Sequence, residues 1–212
     1  MKITGLSKRF VCLKKLLWLF VVFGISVTAG FAQEQNQKLR YKGLAFGVCF
    51  TDSFAANKWS KYVTCTIGGG VGMEYTFLTD TPLLDAGLSL KAEYAVLLPA
   101  SNNIIKGGSD ISVFPGVFIR LPFFIGAATA AFQPDLSYGV MFHRIKSDKA
   151  PELQVLYIDQ FLTVCSGLRL AMPGLLNLEI ELAPLCTMVF EKNDLLLQAG
   201  FRAGAVWHLS TK

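Results

Sequence analysis

The sequence of 212 residues is poor in the groups that carry most chemistry. Its histidines are His143 and His208 alone, and it holds five cysteines. No Gly-x-Ser-x-Gly elbow and no cluster with metal-ligand spacing occurs, so elbow-type hydrolysis, a resident metal and other cofactors are not expected. The run Gly68-Gly69-Gly70-Val71-Gly72 lacks the third glycine of a dinucleotide loop and lies inside an alternating segment, where small size is its use. The chain is read as a non-enzyme. The residual catalytic reading is an acyltransferase or protease at a barrel rim, where His143 would stand.

Charge of one sign is also missing once the N-terminus is set aside. Of the 20 Lys and Arg, five (Lys2, Lys8, Arg9, Lys14 and Lys15) fall in the first 32 residues, which contain no acid, and the rest balance the 15 Asp and Glu. A neutral remainder offers no basic stripe, and nucleic acid is excluded as a partner. Those five basic residues precede an apolar run from Leu16 to Val27 and the small-residue stretch Thr28-Ala29-Gly30-Phe31-Ala32. That order is a secretory signal peptide over 1–32, cut after Ala32. A membrane-anchoring helix is the alternative, but the apolar core has about 12 residues against the roughly 20 that a bilayer needs. Cys12 precedes the run, so it marks no lipoprotein cleavage site.

Long hydrophobic runs are absent from 33–212, although 52% of the chain is hydrophobic and mean hydropathy is +0.45. Apolarity without a helical span points to a barrel. Alternation of period two carries that reading. Leu195, Leu197, Ala199, Phe201, Ala203, Ala205 and Trp207 form one face of the last segment; Gln198, Gly200, Arg202, Gly204 and His208 lie on the other. Similar segments run near 43–51, 63–77, 85–96, 111–121, 136–144, 155–171 and 176–190, making about eight strands long enough to cross a bilayer at a tilt. Polar connections at 52–62, 98–109, 146–153 and 191–194 alternate with short turns at 79–82 and 172–174. The apolar connection 122–134 has no assignment.

Sidedness follows from size, because eight strands enclose a lumen that side chains nearly fill. Glycine collects on the polar series (Gly47, Gly70, Gly72, Gly87, Gly116, Gly139, Gly200 and Gly204 among them), so that series faces inward. The bulky apolar series then faces outward, which only lipid tolerates. The predicted fold is all-β, an eight-stranded antiparallel up-and-down transmembrane barrel over 33–212. A soluble carrier would have the two faces exchanged.

With its leader, its strand number and a last strand ending Trp207-His208-Leu209, the chain resembles the small bacterial outer-membrane barrels of the OmpA-transmembrane, OmpX and OmpW type. It departs from their enterobacterial pattern in ending Ser210-Thr211-Lys212 rather than on Phe. The resemblance implies outer-membrane location, lipid as a partner and, for OmpW-like members, passage of small hydrophobic compounds.

Two sets of inward residues are the candidate site. Glu74, Lys91, Glu93, Arg120, Arg169, Glu179, Glu181 and Arg202 are buried charges that must pair, as a static plug or as a gate. Leu97, Phe114, Phe118 and Met141, with Tyr157, Phe161, Leu185 and Val189, are apolar exceptions expected in the outer half, as a pocket open to the outside. Packing of a plugged lumen is the plainer reading of the same residues. Pro115 and Pro184 could loosen the wall. Cys49 and Cys165 are expected inward, Cys65 and Cys186 outward, all as small unbridged fillers, a Cys49–Cys65 rim bridge being the least improbable exception. The expected function is admission or binding of small hydrophobic molecules. The alternative is a non-conducting structural or adhesive surface barrel that meets host or matrix ligands through its outer loops, which at about 11, 12, 8 and 4 residues are short for that role.

Overall fold

The structure is a computed structural model and describes residues 42–79, 84–101, 105–125, 128–147, 154–172, 177–191 and 194–209. The expected leader lies outside the described residues. Period-two alternation with many β-branched and aromatic residues yields eight strands: β1 Gly43–Ala56, β2 Val63–Leu78, β3 Asp85–Pro99, β4 Ile105–Ile125, β5 Ala128–Ser147, β6 Gln154–Ala171, β7 Leu178–Phe190 and β8 Leu195–His208. A single 3-10 turn, η1 Asn57–Lys61, joins β1 to β2. Each strand pairs antiparallel with the next, and β8 returns to β1, which closes the barrel. Along the height the strands share, closure satisfies the ladder and removes the open edge that lipid could not solvate.

The register sets the shape. Opposite residues lead from Gly43 to Thr76, Gly87, Phe118, Asp135, Cys165, Leu185 and Gly200, and return to β1 at Ser53. From residue 43 to residue 53 the stagger is ten residues, so the strands tilt by about 40° and the lumen is narrow. Two phenylalanine side chains fit inside it over glycine. A Cβ on Gly87 would overlap the Phe118 ring, and one on Gly139 would meet Phe114.

The two faces lie as expected. Glu179, Glu181 and Arg202 are buried at 4%, 8% and 3% exposure, whereas Phe201 and Trp207 stand 67% and 61% exposed. Val48, Val71, Leu88, Ile111, Val117 and Leu182 share that outer face. A continuous apolar exterior of this extent suits lipid, not water.

Several boundaries differ from the sequence-based expectation. Strand β1 runs past Asp52 to Ala56, since Ser53 still turns inward and Phe54 outward. The stretch 122–134 is no loop: β4 and β5 continue as one hairpin, with Pro122 opposite Ala131 and Ile125 opposite Ala128. It loses alternation because it extends past the end of β3, whose Asp85 faces Arg120. Val63, expected outward, is fully buried because a register irregularity between Val63 and Cys65 turns it inward. The four cysteines of the barrel are unbridged.

Sidedness makes a quantitative test. Phe201→Arg, in the middle of β8, should lower the stability of the vesicle-embedded barrel by about 2–4 kcal/mol, read from urea unfolding in lipid. A change near zero, as at a water-exposed site, would contradict the lipid-facing assignment.

Candidate functional site

The lumen is layered. At the end where β1 begins and β8 ends, Arg169 from β6 donates Nη1 to Glu74 Oε2 at 2.7 Å and Nη2 to Glu74 Oε1 at 2.6 Å, while the same Nη2 reaches Glu181 Oε2 at 2.9 Å. Arg120 Nη2 donates to Glu179 Oε2 at 2.6 Å, and His208 Nε2 lies 2.9 Å from that oxygen. Gln133 joins the two halves, accepting from Arg120 Nε at 3.2 Å and donating to Glu74 at 3.3 Å. Planar guanidinium against carboxylate, in a site closed to water, is the geometry in which buried charge is tolerated.

A second tier lies above it. Lys91 Nζ and Ser89 each donate to Asp135 Oδ2 at 3.0 Å, and Ser137 donates to Asp135 Oδ1 at 2.5 Å. Arg202 Nη2 donates to Glu93 Oε1 at 2.6 Å. All eight charges expected inward thus meet partners inside the lumen.

The apolar set does not form an open pocket. Leu97, Phe114, Met141, Phe161 and Val189 pack with Trp59, Val63 and Leu196 into one buried cluster, with the Phe114 and Phe161 rings edge to face at 5.2 Å. Leu185 packs instead with Cys165 and Ala183. Phe118 is inside, but two residues from Arg120 and over Gly87, so it belongs to the charged level. Tyr157 is a correction. It stands 50% exposed because β7 begins to pair with β6 only at Gln160, which leaves residues 154–159 beyond the rim.

Trp59 closes the outer end. Asn57 holds the turn at a φ of 56°, where asparagine is among the better tolerated residues; its Oδ1 accepts from Trp59 N–H at 3.2 Å and its Nδ2 donates to Leu195 O at 2.6 Å. The indole ring lies 6.4 Å from His143, whose Nδ1 is 2.7 Å from Asp110 Oδ1. Lys58, fully exposed, has its ammonium pKa raised by the hydrogen bond from Nζ to Asp194 and then by that carboxylate's charge. A screened surface pair of this kind adds little stability.

Beneath the cluster lies a cavity of about 40 Å³. Thr51, Ser53, Thr66, Ser112, Thr163 and Thr187 give it hydroxyls, while Phe114, Met141, Phe161 and Leu185 give it an apolar side. It has space for little more than water, far below the roughly 300–1,000 Å³ of a small-molecule site.

Sequence reasoning missed Asp110, Gln133, Asp135 and Trp59. Asp135 carried a usable signal, since Asp135, Ser137 and Gly139 share one parity on β5. Trp59 carried none, because folding a loop residue into a lumen leaves no periodic trace.

No family model matches the chain, and no curated relative does. Its structural neighbours are small bacterial outer-membrane barrels. Ail, the attachment invasion locus protein of Yersinia pestis, has 14% identity, a TM-score of 0.48, and coverage of 78% of this chain and 98% of its own. Neisserial surface protein A has 10% identity, a TM-score of 0.48, and coverage of 82% and 100%. The outer membrane enzyme PagL has 10% identity, a TM-score of 0.46, and coverage of 76% and 97%. These are likenesses of fold alone.

Arg169 sets the test of the ionic floor. Arg169→Met strands Glu74 and Glu181 and should destabilise the barrel by about 3–5 kcal/mol. Adding Glu74→Gln and Glu181→Gln should recover most of that loss. Unfolding midpoints in vesicles measure both, and a triple variant as weak as the single one would contradict the pairing.

Proposed function

We propose that the chain is a closed, non-conducting barrel of the bacterial outer membrane, exported by a leader cut after Ala32, and that it acts through its outer surface rather than its lumen. The observation that supports this is the filling of the lumen: an ionic floor, a paired middle tier and a cluster capped by Trp59 leave a cavity of about 40 Å³. A path for solute would need these layers to part together. The outer surface offers the parts of β5 and β6 that rise beyond β7, with Leu156 and Ile158 exposed at 64% and 62%. Host or matrix ligands are the partners such a surface would meet.

Binding of a small hydrophobic molecule is the second reading. Its support is the mixed lining of the cavity, where Phe114 and Phe161 face hydroxyl groups. It requires Trp59 to swing out of the cluster, and Asn57 opposes that movement.

Planar-bilayer recordings separate the two. The purified barrel should show no steady conductance, with or without an apolar solute, and no ligand protection at Trp59. Steady conductance that the solute blocks, and that Phe114→Arg or Phe161→Arg abolishes, would overturn the closed-barrel reading and favour the second.

A further inference from the structure

Among the described strand residues, every Asp and Glu has inward parity except one. Asp52 points outward, between Thr51 and Ser53, which line the lumen cavity. Its neighbours on the outer wall are Phe50 and Phe54 along β1, Ile67 opposite on β2 and Phe201 opposite on β8, and all four are exposed. The carboxylate therefore lies in the band that faces lipid, beside Phe201. Its Oδ1 is covered and has no hydrogen-bond partner among the described residues. An acid at membrane depth is costly and calls for a donor.

The register places a donor at the same height two strands away. The ladder leads from Phe50 to Gly69 on β2 and on to Tyr94 on β3. The stagger of ten residues is spread over eight strands, so each ladder step climbs by about 1.25 residues and two steps by about 2.5. Tyr94 thus stands level with Asp52, 52% exposed on the same outer wall, with Gly69 on the strand between them. Copies inserted the same way into one membrane are related by an axis along its normal, so a twofold contact joins residues of equal height. We infer that the outer wall of β1, β2 and β3 is the interface of a homodimer, in which Tyr94 of each copy donates its hydroxyl to Asp52 of the other across an axis at β2. The inference rests on the membrane reading above and not on the closed lumen. A lipid group that reached Asp52 would leave Tyr94 unused. A second copy engages both residues reciprocally and brings the walls close at Gly69, which has no side chain to hold them apart.

The test uses the full chain, expressed with its own N-terminus and carrying a donor or an acceptor fluorophore on a C-terminal tag, inserted into phosphatidylcholine vesicles. Energy transfer is read as the protein-to-lipid ratio rises. The wild type should dimerise. Asp52→Leu and Tyr94→Phe each remove both reciprocal bonds, and each should weaken dimerisation about tenfold. The double variant should be no weaker than either single one, because the two residues serve the same bonds. Tyr75→Phe, near the other end of β2, should leave dimerisation unchanged. Leucine suits lipid better than a carboxylate does, so Asp52→Leu should keep the barrel as resistant to urea in the same vesicles as the wild type, which separates a lost interface from a lost fold. Single variants that dimerise as the wild type does would overturn the proposal, and so would a double variant whose loss is the product of the two single losses. Failure of the wild type to insert would overturn the membrane reading together with this one, whereas insertion as a monomer would overturn this one alone.

Discussion

Closure of β8 onto β1 is the constraint from which the rest of the barrel follows. Pairing Ala45 with His208 through to Ala56 with Leu197 leaves the wall without a free edge along its shared height. The ten-residue stagger then fixes strand tilt and lumen width together. A narrow lumen admits glycine, hydroxyls and a few large side chains that lie over glycine. It also forces charged side chains on the inner face into contact, and this is how residues as distant in sequence as Glu74 and Arg169 become partners.

The interior is more specific than stable packing alone would require. Buried ion pairs seldom exceed the stability of apolar residues of equal volume, but an unmatched member is costly. Arg169 meets Glu74 and Glu181 only in the observed register, and a one-residue slip of β6 would send it into lipid. The ionic floor therefore penalises the wrong barrel more than it rewards the right one. The apolar cluster at the other end works differently, since Phe114, Phe161 and Trp59 fill space with little demand on partner identity.

The outer and inner faces were readable in the sequence because lipid and lumen impose opposite chemistry on alternate residues. Leu178, Ile180 and Phe201 against Glu179, Glu181 and Arg202 is a contrast that no helix would preserve. Parity does not report height, however, and there the reading failed. Tyr157 has inward parity, yet it stands above the level at which β7 ends. The stretch 122–134 gave little alternation because most of it extends past Asp85, where β3 ends, although Gln133 still faces the lumen. Trp59 lay outside any periodic segment, and its role turned a predicted opening into a cap. Whether a set of inward apolar residues makes a cavity or a plug depends on one such residue.

The four thiols of the barrel have a bearing on its biogenesis. Cys49 lies opposite Gly70 and Cys65 opposite Phe54, well apart along the β1–β2 ladder, while Cys165 and Cys186 are diagonal neighbours on opposite sides of the wall. None of these placements accepts a bridge. An exported polypeptide meets an oxidising compartment before it is assembled, and there the same thiols can be cross-linked. For a chain exported as proposed, a cross-link made in transit between Cys49 and Cys65, or between Cys165 and Cys186, would have to be reduced or exchanged before the last strand joins the first.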